Sequence, residues 1–221
     1  MARTIIHTDL KAHFGDKDHL EVSQTKSFAE LIFEMLSETE PTSDEAKLFE
    51  LILNLSIDHG IDTPSAKEVI RVKGEGKSLQ ESVAAGILEI GDVHGGAAEP
   101  LMEILYQIQS ADLKIQKVVS DYLSEDKKIP GFGHRIYKDE DPRSTIIFEE
   151  LKKRGIGGDY LMIIVELQNE IENQTGKRLP INIDGAIAVA LCGLGWKPVL
   201  GKAVFIIART PGLVAHSLNN S

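Results

Sequence analysis

The chain has 221 residues, 42% hydrophobic and 26% charged, with a net charge of −10 at pH 7. That size supports one large domain or two modest ones with a sizeable core, the acidic balance argues against nonspecific nucleic-acid binding, and a single cysteine, Cys192, excludes an intrachain disulfide and fits a reducing compartment. No apolar run is long enough to span a bilayer and the start, Met1 to His7, is too short and polar for a signal peptide, so a cytoplasmic location is the default expectation, with neither nucleic acid nor membrane as a partner.

Residues 1–26 are mixed in character and read as an arm or a small hairpin. His7, His13 and His19 recur at a spacing that suits neither a helix face nor a compact metal motif, and they read as solvated. From Ser27 the pattern turns helical, with Phe28, Leu31, Ile32, Met35 and Leu36 on one face. Glu40-Pro41-Thr42-Ser43 breaks it, and Thr42 or Ser43 caps a second, largely apolar helix that ends at Asp58-His59-Gly60. His59 at a helix end is either a stabilising C-terminal histidine or a ligand-facing one.

Thr63-Pro64 restarts the helical pattern as N-cap and N1. Helices are expected over 64–71 and 79–90, the second with the small residues Ala84-Ala85-Gly86, which permit close packing inside a domain or across a dimer. His94 precedes a Gly95-Gly96 turn that feeds a helix over 100–110, and backbone amides at such a start favour a negative oxygen. A more polar helix is expected over 112–125, then helices over 143–154 and 159–174. Asp184 stands where an apolar helix begins, through Leu194; it is an N-cap or, beside a cleft, a general base. Cys192 lies in this apolar run and reads as packing. Pro198 opens a last helix through Thr210, and Arg209 inside it needs an anionic partner, from the protein or bound.

The densest chemistry lies between Pro130 and Ser144. Gly131 and Gly133 let the backbone approach a ligand, His134 can donate, accept or shuttle a proton, and Arg135, Lys138 and Arg143 surround it with cations. Asp141 and Pro142 read as N-cap and N1 of the following helix. Imidazole beside arginines suits a small substrate with carboxylates and a carbonyl; the plainer alternative is a charged surface turn. There is no internal repeat, no P-loop, no strand-to-helix glycine fingerprint and no Cys/His cluster for zinc, so neither a metal nor a permanently bound cofactor is expected.

Three pieces occur together and in one order: His94-Gly95-Gly96-Ala97; Gly131-Phe132-Gly133-His134-Arg135-Ile136-Tyr137-Lys138 with Asp141-Pro142-Arg143; and Asn182-Ile183-Asp184. Ala208-Arg209-Thr210 with Ala215-His216 closes the series. Over about residues 27–221 this resembles the citrate synthase family. The resemblance implies an all-α fold, a large domain (about 27–110 and 183–221), a small domain (about 111–182), a homodimer, and a cleft that handles oxaloacetate and a coenzyme A thioester. It implies that His94 hydrogen-bonds the thioester oxygen, His134 polarises the oxaloacetate carbonyl and Asp184 moves the methyl proton. By the same likeness His59, Arg143 and Arg209 bind substrate, and Lys138 meets the CoA phosphates, with Arg135, Gly131 and Gly133 on the CoA side.

The sequence departs from the synthase pattern in three places. The helical N-terminal portion of full-length synthases has no counterpart. Asp184 is followed by Gly185-Ala186-Ile187, where synthases usually carry an aromatic; this and Asp58-His59-Gly60 are more similar to the citryl-CoA lyase module of ATP-citrate lyases. The family's further arginine, from the partner subunit, would lie about twenty residues after Arg209, and twelve remain, so either the chain is truncated or the clamp is incomplete. Against the lyase module, that module lacks a histidine at the Gly-Gly turn, whereas His94 is present. The expected activity is therefore citryl-CoA lyase, with or without a separate citrate-activating subunit. The alternatives are a citrate or 2-methylcitrate synthase and a noncatalytic CoA-binding or dimerising homologue.

Overall fold

Capping side chains and glycine or proline breaks set most of the helix boundaries. In a computed structural model, which describes residues 3–8, 10–92 and 94–219, the N-terminal stretch forms an antiparallel meander of β1 (Ile5–Thr8), β2 (Lys11–Phe14) and β3 (Lys17–Asp18). Ile5 pairs with Phe14 and His13 with Asp18. The hairpin expectation therefore holds, as the exception to an otherwise helical chain. Helices α1 (His19–Thr25), α2 (Phe28–Ser37) and α3 (Ser43–Ser56) follow. Ser27 and Glu30 form a reciprocal capping box on α2, and Thr42 and Glu45 do the same for α3.

The chain divides into two compact units, Met1–Leu51 and Ile52–Ser221, the boundary falling within α3. In the first unit the buried Glu34 accepts from Arg3 and from Lys26, and Phe33 meets Phe49 edge to face with ring centroids 5.5 Å apart.

The second unit carries α4 (Pro64–Gly74), α5 (Leu79–Leu88), α6 (Ala98–Gln109), α7 (Ile115–Ser124), α8 (Pro142–Arg154), α9 (Tyr160–Thr175), α10 (Ile183–Gly193) and α11 (Val199–Asn219). Its centre is α10, buried from Ile183 to Cys192 and packed against α6, α8, α9 and α11. A helix apolar on every side has to lie inside, since no face of it gains by meeting water. Gly86 gives the small-residue stretch one role inside the domain: a Cβ there would stand 2.4 Å from Val69 Cγ2 and 2.9 Å from the Ser65 carbonyl, so α4 and α5 approach more closely than an alanine would allow. Cys192 is free and buried, as expected.

Two expectations need correction. The final helix does not stop at Thr210 but runs through Pro211 to Asn219; Ala208, Arg209, Gly212 and Leu213 are all buried there, and that packing outweighs the hydrogen bond Pro211 cannot donate. By length and composition α11 is also apolar enough to cross a membrane, contrary to the reading that no apolar run is long enough. Its contacts with α4, α5, α6 and α10 are those of a domain's core helix.

Candidate active site

The Gly131–Gly133 segment is stitched to the residues that start α10. Gly133 N–H donates to the Pro180 carbonyl at 2.8 Å, and Asn182 N–H to the Gly131 carbonyl at 3.0 Å. Asn182 Nδ2 donates to the Gly133 carbonyl at 2.9 Å while its Oδ1 accepts from Gly185 N–H at 3.2 Å. Asn182 is therefore the N-cap of α10, and Asp184, which the sequence offers as a possible cap, lies inside the first turn. The seam is tight: a Cβ on Gly185 would stand 2.7 Å from the Gly131 carbonyl oxygen, and one on Gly131 would stand 2.4 Å from Leu101 Cδ2. Gly131 thus serves close backbone packing, whereas nothing lies within 4 Å of a Cβ on Gly133.

This seam sets Asp184 beside the loop of His134. Asp184 is buried and its Oδ1 has no hydrogen-bond partner. Burial pushes its pKa up to about 6, against the opposing pull of Arg143 and Arg209. A carboxyl held this way exchanges its proton near neutral pH, which an N-cap carboxylate does not.

The following loop forms as expected, with Asp141 capping α8 and Pro142 at N1. Asp141 does more than cap. It is fully buried and accepts from Arg143 Nε at 3.0 Å and Nη2 at 2.7 Å, holding the guanidinium as a fork. Arg143 Nη1 then lies 3.4 Å from His59 Nδ1, and Nη2 lies 3.3 Å from His134 Nε2.

The hydrogen bonds assign the histidine tautomers. His134 Nδ1 accepts from the backbone N–H of Ile136 at 3.1 Å and of Tyr137 at 2.9 Å, so in the neutral ring Nε2 carries the proton. Arg143 Nη2 and His134 Nε2 are then two donors facing one another, a geometry that calls for a shared acceptor oxygen. His59 Nδ1 faces a donor too, which leaves Nε2–H as its free end, and that nitrogen is buried without a partner. Burial, reinforced by Arg143 and His134, lowers the His59 pKa to about 4. His134 is also lowered, by burial first, with Asp141 opposing. Tyr137 stacks on the His134 ring, centroids 4.7 Å apart, and the His59 ring stands 5.0 Å from His134 on an edge-to-face approach.

His94 sits on a turn closed by reciprocal backbone bonds with Gly91. Its Nε2 accepts from the Ser65 amide at 3.4 Å and lies 2.9 Å from Ser65 Oγ. Since an amide only donates, Nδ1 carries the proton and is free to donate. Burial, then the charge of Arg209, brings the pKa to about 4, so the ring is neutral at physiological pH. Arg209 is 2% exposed. Its Nε donates to the Ser56 carbonyl at 2.9 Å, Nη1 has no partner, and among the described residues no carboxylate pairs with it. Of the two kinds of anion the sequence allowed for Arg209, the protein does not supply one.

Arg135 and Lys138 are exposed on the same loop, Lys138 donating to the His134 carbonyl at 3.2 Å. No group of three or more His, Cys, Asp or Glu residues able to hold a metal occurs among the described residues. Ser65, Tyr137 and Asn182 have no role in the sequence reading, and Asp141 appears there only as a cap. Asn182 was legible as a cap; Ser65 was not, because its contact with His94 spans 29 residues.

Comparison with known proteins agrees with this geometry. A family profile described as "Citrate synthase, C-terminal domain" matches residues 1–221. The solved citryl-CoA lyase from Hydrogenobacter thermophilus is 36% identical, with a TM-score of 0.89, over 100% of this chain and 86% of that one. An ATP citrate lyase from Methanosaeta concilii in complex with (3S)-citryl-CoA shares the fold, with a TM-score of 0.87 at 21% identity, over 99% of this chain and 38% of that one. The citrate synthase of a Synechocystis species is 31% identical over 205 residues, 90% of this chain and 51% of its own length. The chain spans about half the length of the curated citrate synthases it matches. With a mainly helical fold built around α10, the ordered motifs assembled in one unit and the profile matching from end to end, the chain belongs to the citrate synthase family.

Proposed function

We propose that this chain is a citryl-CoA lyase, cleaving citryl-CoA to acetyl-CoA and oxaloacetate. The observation that carries the reading is the buried carboxyl of Asp184, its Oδ1 unpartnered and within electrostatic reach of Arg143 and Arg209, the cations that also act on His134 and His94, whose free ends are N–H donors. In cleavage the bond between the acetyl methylene and the hydroxyl-bearing carbon breaks, and its electron pair passes to the thioester as an enolate. The hydroxyl gives up its proton to water as it becomes the ketone of oxaloacetate, one proton arrives on carbon, and the carboxylate left by that transfer takes a proton back from water, so the count closes. Asp184, with its pKa near 6, delivers that proton. His94 Nδ1–H stabilises the enolate oxygen, while His134 Nε2–H and Arg143 hold the oxygen that becomes the ketone. Arg143, Arg209 and His59 take the carboxylates, Arg supplying the bidentate geometry. Lys138 and Arg135, with Gly133 at the open part of the loop, face the CoA phosphates.

Cleavage is preferred over synthesis for two reasons. The likeness to a citryl-CoA lyase is 36% identical at TM-score 0.89, and Gly185 stands packed on Gly131 where the synthase pattern carries an aromatic. One observation favours the condensation instead: His94 is present and pinned in its neutral tautomer. The reading includes a large domain of about 27–110 and 183–221, a small domain of about 111–182 that closes on substrate, a homodimer and a cytoplasmic setting, with or without a separate citrate-activating subunit.

A coupled assay run both ways tests it. Oxaloacetate released from citryl-CoA without net citrate formation is the expected result. Rapid CoA release with citrate from acetyl-CoA and oxaloacetate would make the protein a synthase, and silence in both directions would favour a binding homologue.

A further inference from the structure

One ion pair, with His216 buried and Asp58 partly exposed, has no part in this chemistry. His216 of α11 is 9% exposed, and its Nε2 lies 3.0 Å from Asp58 Oδ1. The second carboxylate oxygen of Asp58 accepts from Gly60 N–H at 3.1 Å. Arg209, Gly212 and His216 recur at helical spacing on one face of α11, and each touches the same short segment. Arg209 Nε donates to the Ser56 carbonyl at 2.9 Å. A Cβ on Gly212 would stand 2.4 Å from the Ile57 carbonyl and 3.1 Å from Asp58 Cβ, so the helix backbone lies directly on the segment. His216 takes Asp58.

The next residue is His59, whose Nδ1 faces Arg143 and whose Nε2 is buried without a partner. Residues 58–60 belong to neither helix nor strand, so no backbone ladder fixes them; Thr63 holds the Gly60 carbonyl, and the contacts with α11 hold the stretch that precedes His59.

We propose that Asp58 and His216 are positioning residues that clamp the 57–60 turn onto α11 and aim His59 Nε2–H at a substrate carboxylate, an inference that rests on the proposed reading of the site. His216→Leu is expected to raise KM for citryl-CoA about tenfold with kcat within about twofold of the parent. His216→Gln, which keeps a donor at the same reach, is expected to restore most of the loss. In a double-mutant cycle, His216→Leu is expected to add little to His59→Ala, because both act through one imidazole.

Ring-nitrogen NMR of His59 without substrate gives a readout independent of turnover: its signals should move in His216→Leu and not in His216→Gln. If His216→Leu fails to fold, Asp58→Ala, at the more exposed end of the pair, carries the same comparisons. Additive losses, a fall in kcat at constant KM, or an unmoved His59 signal would each overturn the pair's role. A parent protein inert toward citryl-CoA would overturn the functional reading instead, while the NMR comparison would still decide the pair.

Discussion

The two units each bury a carboxylate, and they treat it in opposite ways. In the first, Glu34 is fully buried and meets both Arg3 and Lys26. In the second, Asp184 is buried with Oδ1 unpartnered and its proton affinity raised. Within the second unit Asp141 repeats the first pattern, buried and gripped by Arg143. Burying a charge is expensive unless it is paired, so a paired carboxylate holds structure. An unpaired one lowers stability and persists where a reaction needs it. The difference can be broken from either side.

Asp184→Asn should lower turnover by about a hundredfold to ten-thousandfold, measured in whichever direction the parent runs, while oxaloacetate binding stays near normal. Equal loss of binding would remove Asp184 as the proton carrier. The same substitution should stabilise the fold above neutrality. A pKa near 6, against an ordinary 3.8, means the folded chain holds this proton more tightly than the unfolded one. Stability is then greatest below the unfolded value and declines as pH rises through that window, by on the order of 3 kcal/mol. Denaturant titrations at acidic and neutral pH would show the gain at neutral pH alone.

Glu34→Ala should act the opposite way, costing about 3 kcal/mol because Arg3 and Lys26 lose their buried partner. An unchanged melting temperature would show that the pairing contributes nothing. Arg143→Lys replaces a fork by a point charge, and dicarboxylate affinity should fall about tenfold or more by calorimetry; unchanged affinity would remove Arg143 from the site. Gly185→Ala drives a methyl toward the Gly131 carbonyl and should cost about 1–3 kcal/mol, with turnover falling as Asp184 shifts. A neutral result would mean the seam yields freely.

A second pH dependence, opposite in sign to that of Asp184, concerns His59 and His94, both lowered to about 4 from 6.5. Between those values the unfolded chain binds more protons, so stability should fall as pH drops across the window. Pairing His59→Gln with His94→Gln should flatten that slope.

Local signals made much of this legible. Asp141-Pro142, Thr63-Pro64 and Ser27 with Glu30 capped their helices as their types require, because a cap acts within a few residues of itself. The order of His94, the His134 loop, Asp184 and Arg209 marked the family. What the sequence could not decide was which groups end up with partners. The tautomer of His94 depends on Ser65, 29 residues away, and the Nη1 of Arg209, left without a partner, lies on a helix that the linear pattern ended too early. Asp184 stood in the sequence as either an N-cap or a general base, and the Gly131–Asn182 seam, with Asn182 as the cap, removed the first alternative. Residue type and spacing thus determined where helices start and which chemistry the chain carries. Burial and long-range approach, which depend on the whole packed core, decided the protonation state of each group and which groups were left for a substrate.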